Sequence, residues 1–159
     1  MMRGKIILAL VVPTIVAAVL TTASWGVVTS TLVVRSNATA LDLHDKSQKL
    51  KLQAKDPIHV DIRHVTADAG DVIGGGWHGH AGPSLALVAG GSLTVTESAG
   101  PAGSECASTT YGTGSTVLHG EDAHTFVAGS GGVDLYIVYL LPEGATPGPV
   151  ALPTPEACS

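Results

Sequence analysis

Apolar and polar residues alternate along much of the chain after position 57, which is the pattern of β-strands with one buried face. In the stretch IHVDIRHVT, residues 58–66, the pattern places Ile58, Val60 and Ile62 on one side of a strand. We expect this apolar side to face the core. His64 lies two residues after Ile62, on the same side of the strand, and is therefore expected to face the interior as well.

The same alternation predicts several further short strands in this part of the chain. Residues 84–89 and 92–97 form a hairpin around a Gly-Gly turn. The short stretch 49–52 adds an edge strand, and a long loop at 98–114 precedes the next strand. The remaining predicted strands are 72–73, 116–119, 124–127 and 133–141. Seven or eight strands without a helix indicate an all-β domain at 57–145, with a closed or sandwiched antiparallel sheet.

The N-terminal stretch has a different pattern, because no residue from 6 to 34 is charged. About 20 apolar residues suffice to span a bilayer, and Arg3 and Lys5 orient such a segment with its N-terminus in the cytoplasm. We predict one N-terminal transmembrane or signal helix at 1–35, a polar tether at 36–56 and a Pro-rich tail at 146–159. The domain is then membrane-anchored outside the cytoplasm, or secreted if the segment is cleaved.

The distribution of charge excludes nucleic acid as a partner. All 8 Lys and Arg residues lie before position 64, whereas nine of the 13 carboxylates follow it. Binding to a phosphate backbone depends on clustered cations, which the domain does not have.

The two cysteines, Cys106 and Cys158, both follow the predicted membrane segment. Export to an oxidising compartment allows such a pair to close. We therefore predict a disulfide between them that holds the Pro-rich tail to the domain.

Candidate chemistry is concentrated in the stretch GGGWHGHAGPS, residues 74–84. Two histidines separated by one residue on an extended segment point to the same face. His78 and His80 can therefore bind one ion together. The neighbouring Trp77 walls a pocket or packs at the end of the sheet, and packing is the more common role.

The run from Gly74 to Val95 resembles the first motif of the cupin superfamily, in which HxH is followed by a glutamate and, after six intervening residues, by a glycine. Gly91 matches the glycine, but Ser84 stands at the glutamate position. His124 matches the histidine of the second cupin motif, and His119 stands where that motif has a proline. The stretch is most similar to small single-domain cupins of the WHxHPGP type. The resemblance implies a double-stranded β-helix, or jelly-roll, barrel with the histidines at its mouth, and commonly a homodimer.

The resemblance also implies a metal site formed by His78, His80 and His124. Neutral imidazole suits divalent zinc, iron, nickel or manganese, and three such ligands leave positions open for a small molecule. Ser84 and His119 are expected to line the pocket or to hold a ligand in place, although an exposed loop position is the commoner situation for a histidine such as His119.

Two classes of function follow from such a site. The first is metal-dependent chemistry on a small molecule, as in an oxygenase or isomerase. The alternative is a binding or sensing module with a degenerate site, which holds a small molecule without turnover. Such a site can also be without a metal. The sequence leaves open whether the protein is an enzyme.

Overall fold

The computed structural model of the protein describes residues 28–39, 41–45, 50–99, 104–120 and 122–159. These residues form ten β-strands and one short 3-10 helix, so the all-β prediction is confirmed. The strands are β1 (Thr29–Ala38), β2 (Leu41–Asp45), β3 (Leu50–Ala54), β4 (Ile58–Ala67), β5 (Val72–Gly79), β6 (Ser84–Ala99), β7 (Glu105–Gly112), β8 (Thr116–His119), β9 (His124–Pro142) and β10 (Val150–Ala151), followed by the 3-10 helix Glu156–Cys158.

Eight of the strands form one antiparallel sheet, which is folded into two layers by its longest members, β6 and β9. The first half of β9 pairs with β5 and with the second half of β6. Its second half pairs with β4 and with the first half of β6. The register between β6 and β9 shifts near Gly90 and Gly91, and such irregularities bend a sheet. The sheet can therefore curl around its own core as an all-β barrel.

The core lies between the two layers and is formed by alternate residues of β6 and β9. In β9 the buried set is the one that the alternation predicts: Val133, Leu135, Ile137, Tyr139 and Leu141. Residues of the other layer, such as Leu93 and Phe126, pack against this set. Burial of these side chains stabilises the barrel by roughly 1.5–3 kcal/mol for each large apolar group.

Strand β4 has the opposite orientation to the one predicted from its pattern. Its buried residues are His59, Asp61, Val65 and Ala67, whereas the apolar set that includes Ile62 is only partly buried. His64 faces outward with this set, and its Nε2 lies 2.7 Å from Asp134 Oδ1. The expectation that His64 faces the interior is therefore wrong.

The buried carboxylate of Asp61 is held by a cation from β1. Arg35 donates two hydrogen bonds to it, from Nε to Oδ1 at 2.6 Å and from Nη2 to Oδ2 at 2.8 Å. Burial acts to raise the pKa of Asp61, but the hydrogen bonds and charge of Arg35 outweigh it, so that the pKa is lowered. This pair explains how β4 tolerates a polar interior face.

The structure also changes the interpretation of the N-terminal third. Strand β1 pairs with β4 over its whole length, so residues 29–38 belong to the sheet and not to a membrane segment or tether. Strands β2 and β3 form a separate two-stranded sheet within the predicted tether. Most of the predicted membrane or signal helix lies in residues 1–27, outside the described residues. The described residues include no helix long and apolar enough to cross a membrane.

The C-terminal tail is attached to the barrel at two points. Cys158 forms the predicted disulfide with Cys106. Cys106 lies on β7, which pairs with β6 where a long loop was predicted. Strand β10 of the tail pairs with β5 beside His78 and Gly79. In the loop-entropy model, a cross-link that encloses a loop of this length contributes about 4 kcal/mol to stability.

We expect Arg35→Ala to lower the free energy of unfolding by about 2 kcal/mol at pH 7, because it leaves a buried carboxylate without its cation; Arg35 is partly exposed, which limits the loss. In the wild type the lowered pKa of Asp61 stabilises the fold above about pH 3.9 and this stabilisation is lost at lower pH. In the variant, burial raises the pKa of Asp61, so the sign reverses and the variant regains stability as the pH falls from 7 towards 4. Thermal unfolding at each pH measures this, with Arg35→Lys as the control that keeps the charge. An equal loss of stability at every pH would contradict this explanation.

Candidate metal centre

Three histidines meet inside the barrel because two neighbouring strands bring them into register. His78 lies on β5 directly opposite His124 on β9, and His80 follows two residues after His78. All three side chains are buried. The triple glycine has a direct role here, since a Cβ on Gly74 would lie 2.5 Å from the His78 ring. Glycine at this position leaves room for the imidazole.

Backbone carbonyls determine which ring nitrogen of each histidine carries the proton. The Nδ1 of His78 donates to the carbonyl of Gly76 at 2.7 Å, and the Nδ1 of His124 donates to that of Asp122 at 2.8 Å. His80 Nδ1 lies 3.4 Å from the carbonyl oxygen of Gly148. A carbonyl oxygen only accepts, so each Nδ1 is the protonated nitrogen. In the neutral rings, every Nε2 therefore carries a free lone pair.

The three histidines offer ligand nitrogens that lie within 4.8 Å of one another. His80 Nε2 and His124 Nε2 are 3.1 Å apart, although both are acceptors in these tautomers. A cation between them removes this repulsion. Metal–nitrogen bonds of about 2.0–2.1 Å, at angles between tetrahedral and octahedral, separate two ligand nitrogens by roughly 2.9–3.4 Å. The observed separation fits a shared metal ion.

Burial keeps these imidazoles neutral at physiological pH. Desolvation lowers the pKa of His78, lowers that of His80 to about 4, and lowers that of His124 to about 3. A neutral imidazole is the form that binds a metal. The donor chemistry, the tautomers and the protonation state all fit a divalent transition metal held by the predicted set His78, His80 and His124.

His119 was expected to line the pocket, and its ring lies against those of the histidine cluster. It is 5% exposed, not an exposed loop residue, and its ring stacks on that of His124 with centroids 4.4 Å apart. Its Nε2 is buried without a hydrogen-bond partner, and burial lowers its pKa to about 4. Among the described residues, Glu97 lies beside it, with Oε2 3.7 Å from the Nδ1 of His119.

Ser84 and Trp77 have different positions relative to the histidines. Ser84 is buried and pairs in register with His119 and with Tyr139, next to the cluster. Trp77 is only half-buried, and its carbonyl accepts a hydrogen bond from the Leu152 N–H of the tail. The described residues lining the cavity do not include it, so it contributes to the attachment of the tail.

A cavity of about 240 Å³ lies against His78 and His80 inside the barrel. Phe126 and Tyr139 form part of its wall, and Gly148 brings the tail to it. Arg63 of β4 also lines it, because that strand has the inverted orientation. Sequence reasoning missed this arginine, since an alternating pattern fits either face of a strand equally well.

We expect bound metal to remain on the protein at pH 5. Protons compete with a metal only near and below the pKa of the folded ligands, and burial has moved the pKa of His80 and His124 to about 4 and about 3, whereas an ordinary histidine has a pKa of about 6.5. Without metal the lowered values have the opposite consequence, because the unfolded chain takes up more protons and stability falls as the pH drops from 6.5 towards 4. Metal content after dialysis at pH 4–7, with circular dichroism to monitor folding, tests this. Release centred near pH 6.5 from folded protein would contradict it.

Comparison with known proteins gives no match at the level of sequence families. No protein-family model matches the chain, and no curated protein matches it. Solved structures are similar in fold.

Oxalate decarboxylase from Bacillus subtilis has a TM-score of 0.50 and 17% identity, over 58% of this chain and 24% of that chain. A protein of unknown function from Streptococcus pyogenes has a TM-score of 0.49 and 16% identity, over 74% of this chain and 76% of that chain. A cupin superfamily protein from Desulfitobacterium hafniense has a TM-score of 0.43 and 14% identity, over 69% of this chain and 79% of that chain.

The chain matches 24% of the oxalate decarboxylase chain, so it spans about a quarter of that protein's length. At these identities the similarity concerns the fold alone. The assignment to the WHxHPGP type stays a prediction. The resemblance to the cupin superfamily is confirmed at the level of the fold, and this chain forms an all-β barrel.

Proposed function

We propose that this protein holds one divalent transition metal through the Nε2 atoms of His78, His80 and His124 and presents it to a small molecule in the adjoining cavity. The observation that carries the proposal is the set of Nδ1 contacts with backbone carbonyls, which leaves each Nε2 unprotonated, together with ligand nitrogens that lie within 4.8 Å of one another. A buried cluster of acceptors without a cation is unfavourable. The cluster is therefore best explained as a set of ligands.

The ligand set favours zinc, iron or nickel over manganese. It consists of nitrogen atoms alone, and the group found among the described residues includes no carboxylate. Imidazole suits zinc, iron and nickel, whereas manganese suits oxygen ligands. A structure of the Bacillus subtilis oxalate decarboxylase is described by its Mn(II) centres, but the similarity in fold carries no argument for the same metal here.

A metal held by three protein ligands has open coordination positions and acts as a Lewis acid or a site for oxygen. The chain's own residues do the rest: the histidines orient the site and the cavity wall excludes water. The described lining includes no carboxylate, and the buried phenol of Tyr139 has its pKa raised to about 12. A general base is therefore not evident, which argues against an isomerase. Ligand binding and oxygen-dependent chemistry are the two functions supported.

We also propose that the domain works outside the cytoplasm. The disulfide between Cys106 and Cys158 supports this, since such bonds persist in oxidising compartments. Membrane attachment through the N-terminal segment and a homodimer remain predictions.

The metal centre is tested by removing its ligands one at a time in the full-length protein. We expect His78→Ala, His80→Ala and His124→Ala each to reduce bound zinc, iron or nickel by at least about tenfold, because each removes one of three ligands. His64→Ala is the matched control, since His64 faces outward. The wild type should gain thermal stability on addition of metal, by mass action. No bound metal in the wild type, together with equal thermal midpoints for wild type and ligand variants in added metal, would exclude the centre.

A second experiment separates chemistry from binding. If the centre supports oxygen-dependent chemistry, the visible spectrum of the iron-loaded protein changes when oxygen is added, because oxygen reaches an open position beside the cavity. The His124→Ala variant should show no such change. An unchanged spectrum in metal-loaded wild type would favour the binding or sensing module.

A further inference from the structure

The cavity beside the histidines is lined by one cation, Arg63, which forms no salt bridge with the described residues. Arg63 lines this cavity together with His78 and His80. In the part of the chain that the structure describes, its Nη1 donates to Ser30 Oγ at 3.4 Å, which is a long hydrogen bond. Its Nε is buried and has no partner there. A guanidinium has five N–H donors, so most of the donors of Arg63 form no hydrogen bond with the described residues.

Asp61 is the acidic residue nearest to Arg63 on β4, but its carboxylate is already occupied. Arg35 binds both of its oxygens, at 2.6 and 2.8 Å. This arrangement leaves one positive charge, that of Arg63, on the cavity side of the strand. Arg63 is partly buried, and its Nε is buried without a hydrogen-bond partner among the described residues, so an anion bound in the cavity would supply the acceptor that this donor lacks.

The metal centre adds to this positive charge. Its three ligands are neutral imidazoles, and the described group includes no carboxylate. A divalent ion bound there keeps its full charge, and the described lining of the cavity supplies no anion to offset it. A planar carboxylate matches both the fork of a guanidinium and an open metal position.

The rest of the cavity limits the size and character of the bound molecule. Val65, Ile73 and Phe126 give it an apolar wall. The phenol of Tyr139, which burial keeps protonated, adds a neutral hydrogen-bond donor. The volume of about 240 Å³ is below the roughly 300–1,000 Å³ of pockets for drug-sized ligands.

We propose that the cavity binds a small organic carboxylate, with its carboxylate group held between the Arg63 guanidinium and the metal and its apolar part against Val65 and Phe126. The position of the carboxylate relative to the metal rests on the proposed function. The role of Arg63 rests on the cavity itself.

The test compares butanoate with butanamide, which has nearly the same shape and no charge, on the full-length protein loaded with Co²⁺. We expect butanoate to bind in calorimetry and to change the visible spectrum of Co²⁺, and butanamide to bind at least about tenfold more weakly. Arg63→Gln should weaken butanoate binding about tenfold or more and leave the Co²⁺ content unchanged. Lys55→Gln is the matched control, because it removes the same charge from an exposed position.

Equal binding of butanoate and butanamide by the wild type would overturn the proposal. Equal affinity for butanoate in folded Arg63→Gln and Lys55→Gln would also overturn it. If Arg63→Gln does not fold, two other measurements test the proposal. The first is the comparison of butanoate with butanamide on the wild type, and the second is the affinity of Arg63→Lys for butanoate. If the wild type takes up no Co²⁺, the proposed metal centre fails. Calorimetry of butanoate with the metal-free protein and the same variants then still decides the role of Arg63.

Discussion

The orientation of the three histidine rings depends on hydrogen bonds to main-chain carbonyls. The acceptors are Gly76, Asp122 and Gly148, on three different parts of the chain. A carbonyl cannot change its role in a hydrogen bond, whereas a water or a hydroxyl can. The tautomers are thus fixed by the fold, and the metal-binding atoms are preorganised without a carboxylate beside each ring. Distortion of the backbone near any of these carbonyls would therefore reach the ligand atoms directly.

The inner face of β4 carries polar side chains, and the distribution of charge between β4 and β1 allows this. Arg35 binds both carboxylate oxygens of Asp61 in a bidentate contact. Arg63, on the same side of β4, then remains free to face the cavity. If Asp61 were shared between the two arginines, the cavity would hold a closed ion pair and have little affinity for an anion. The Arg35–Asp61 pair and the exposure of Arg63 to the cavity are consequently parts of one electrostatic arrangement.

The sequence predicted the fold class, the buried set of β9 and the clustering of the three histidines, because each rests on a clear pattern of residue types. The HxH pattern and a later histidine indicate metal ligands, because imidazole is a common ligand. Strand β9 has a continuous apolar face, which indicates that this face lies in the core. The orientation of strand β4 could not be predicted in this way. Its outward residue Ile62 lies opposite Val34 and Val138, so neighbours in the sheet partly cover it. A strand with one polar and one apolar face gives no indication that the polar face lines a cavity. The same limit hid Arg63.

The tail has a larger role than its Pro-rich composition indicated. β10 pairs with β5 at His78 and Gly79, and the disulfide holds the end of the tail to β7. The tail also presents the Gly148 carbonyl to His80 and places Gly148 in the cavity wall. A ligand histidine is thus oriented by a segment that lies 68 residues away in sequence. The pairing of β10 with β5, which begins two residues after Gly148, and the disulfide at Cys158 together hold the tail against the barrel, so the position of this carbonyl depends on both attachments.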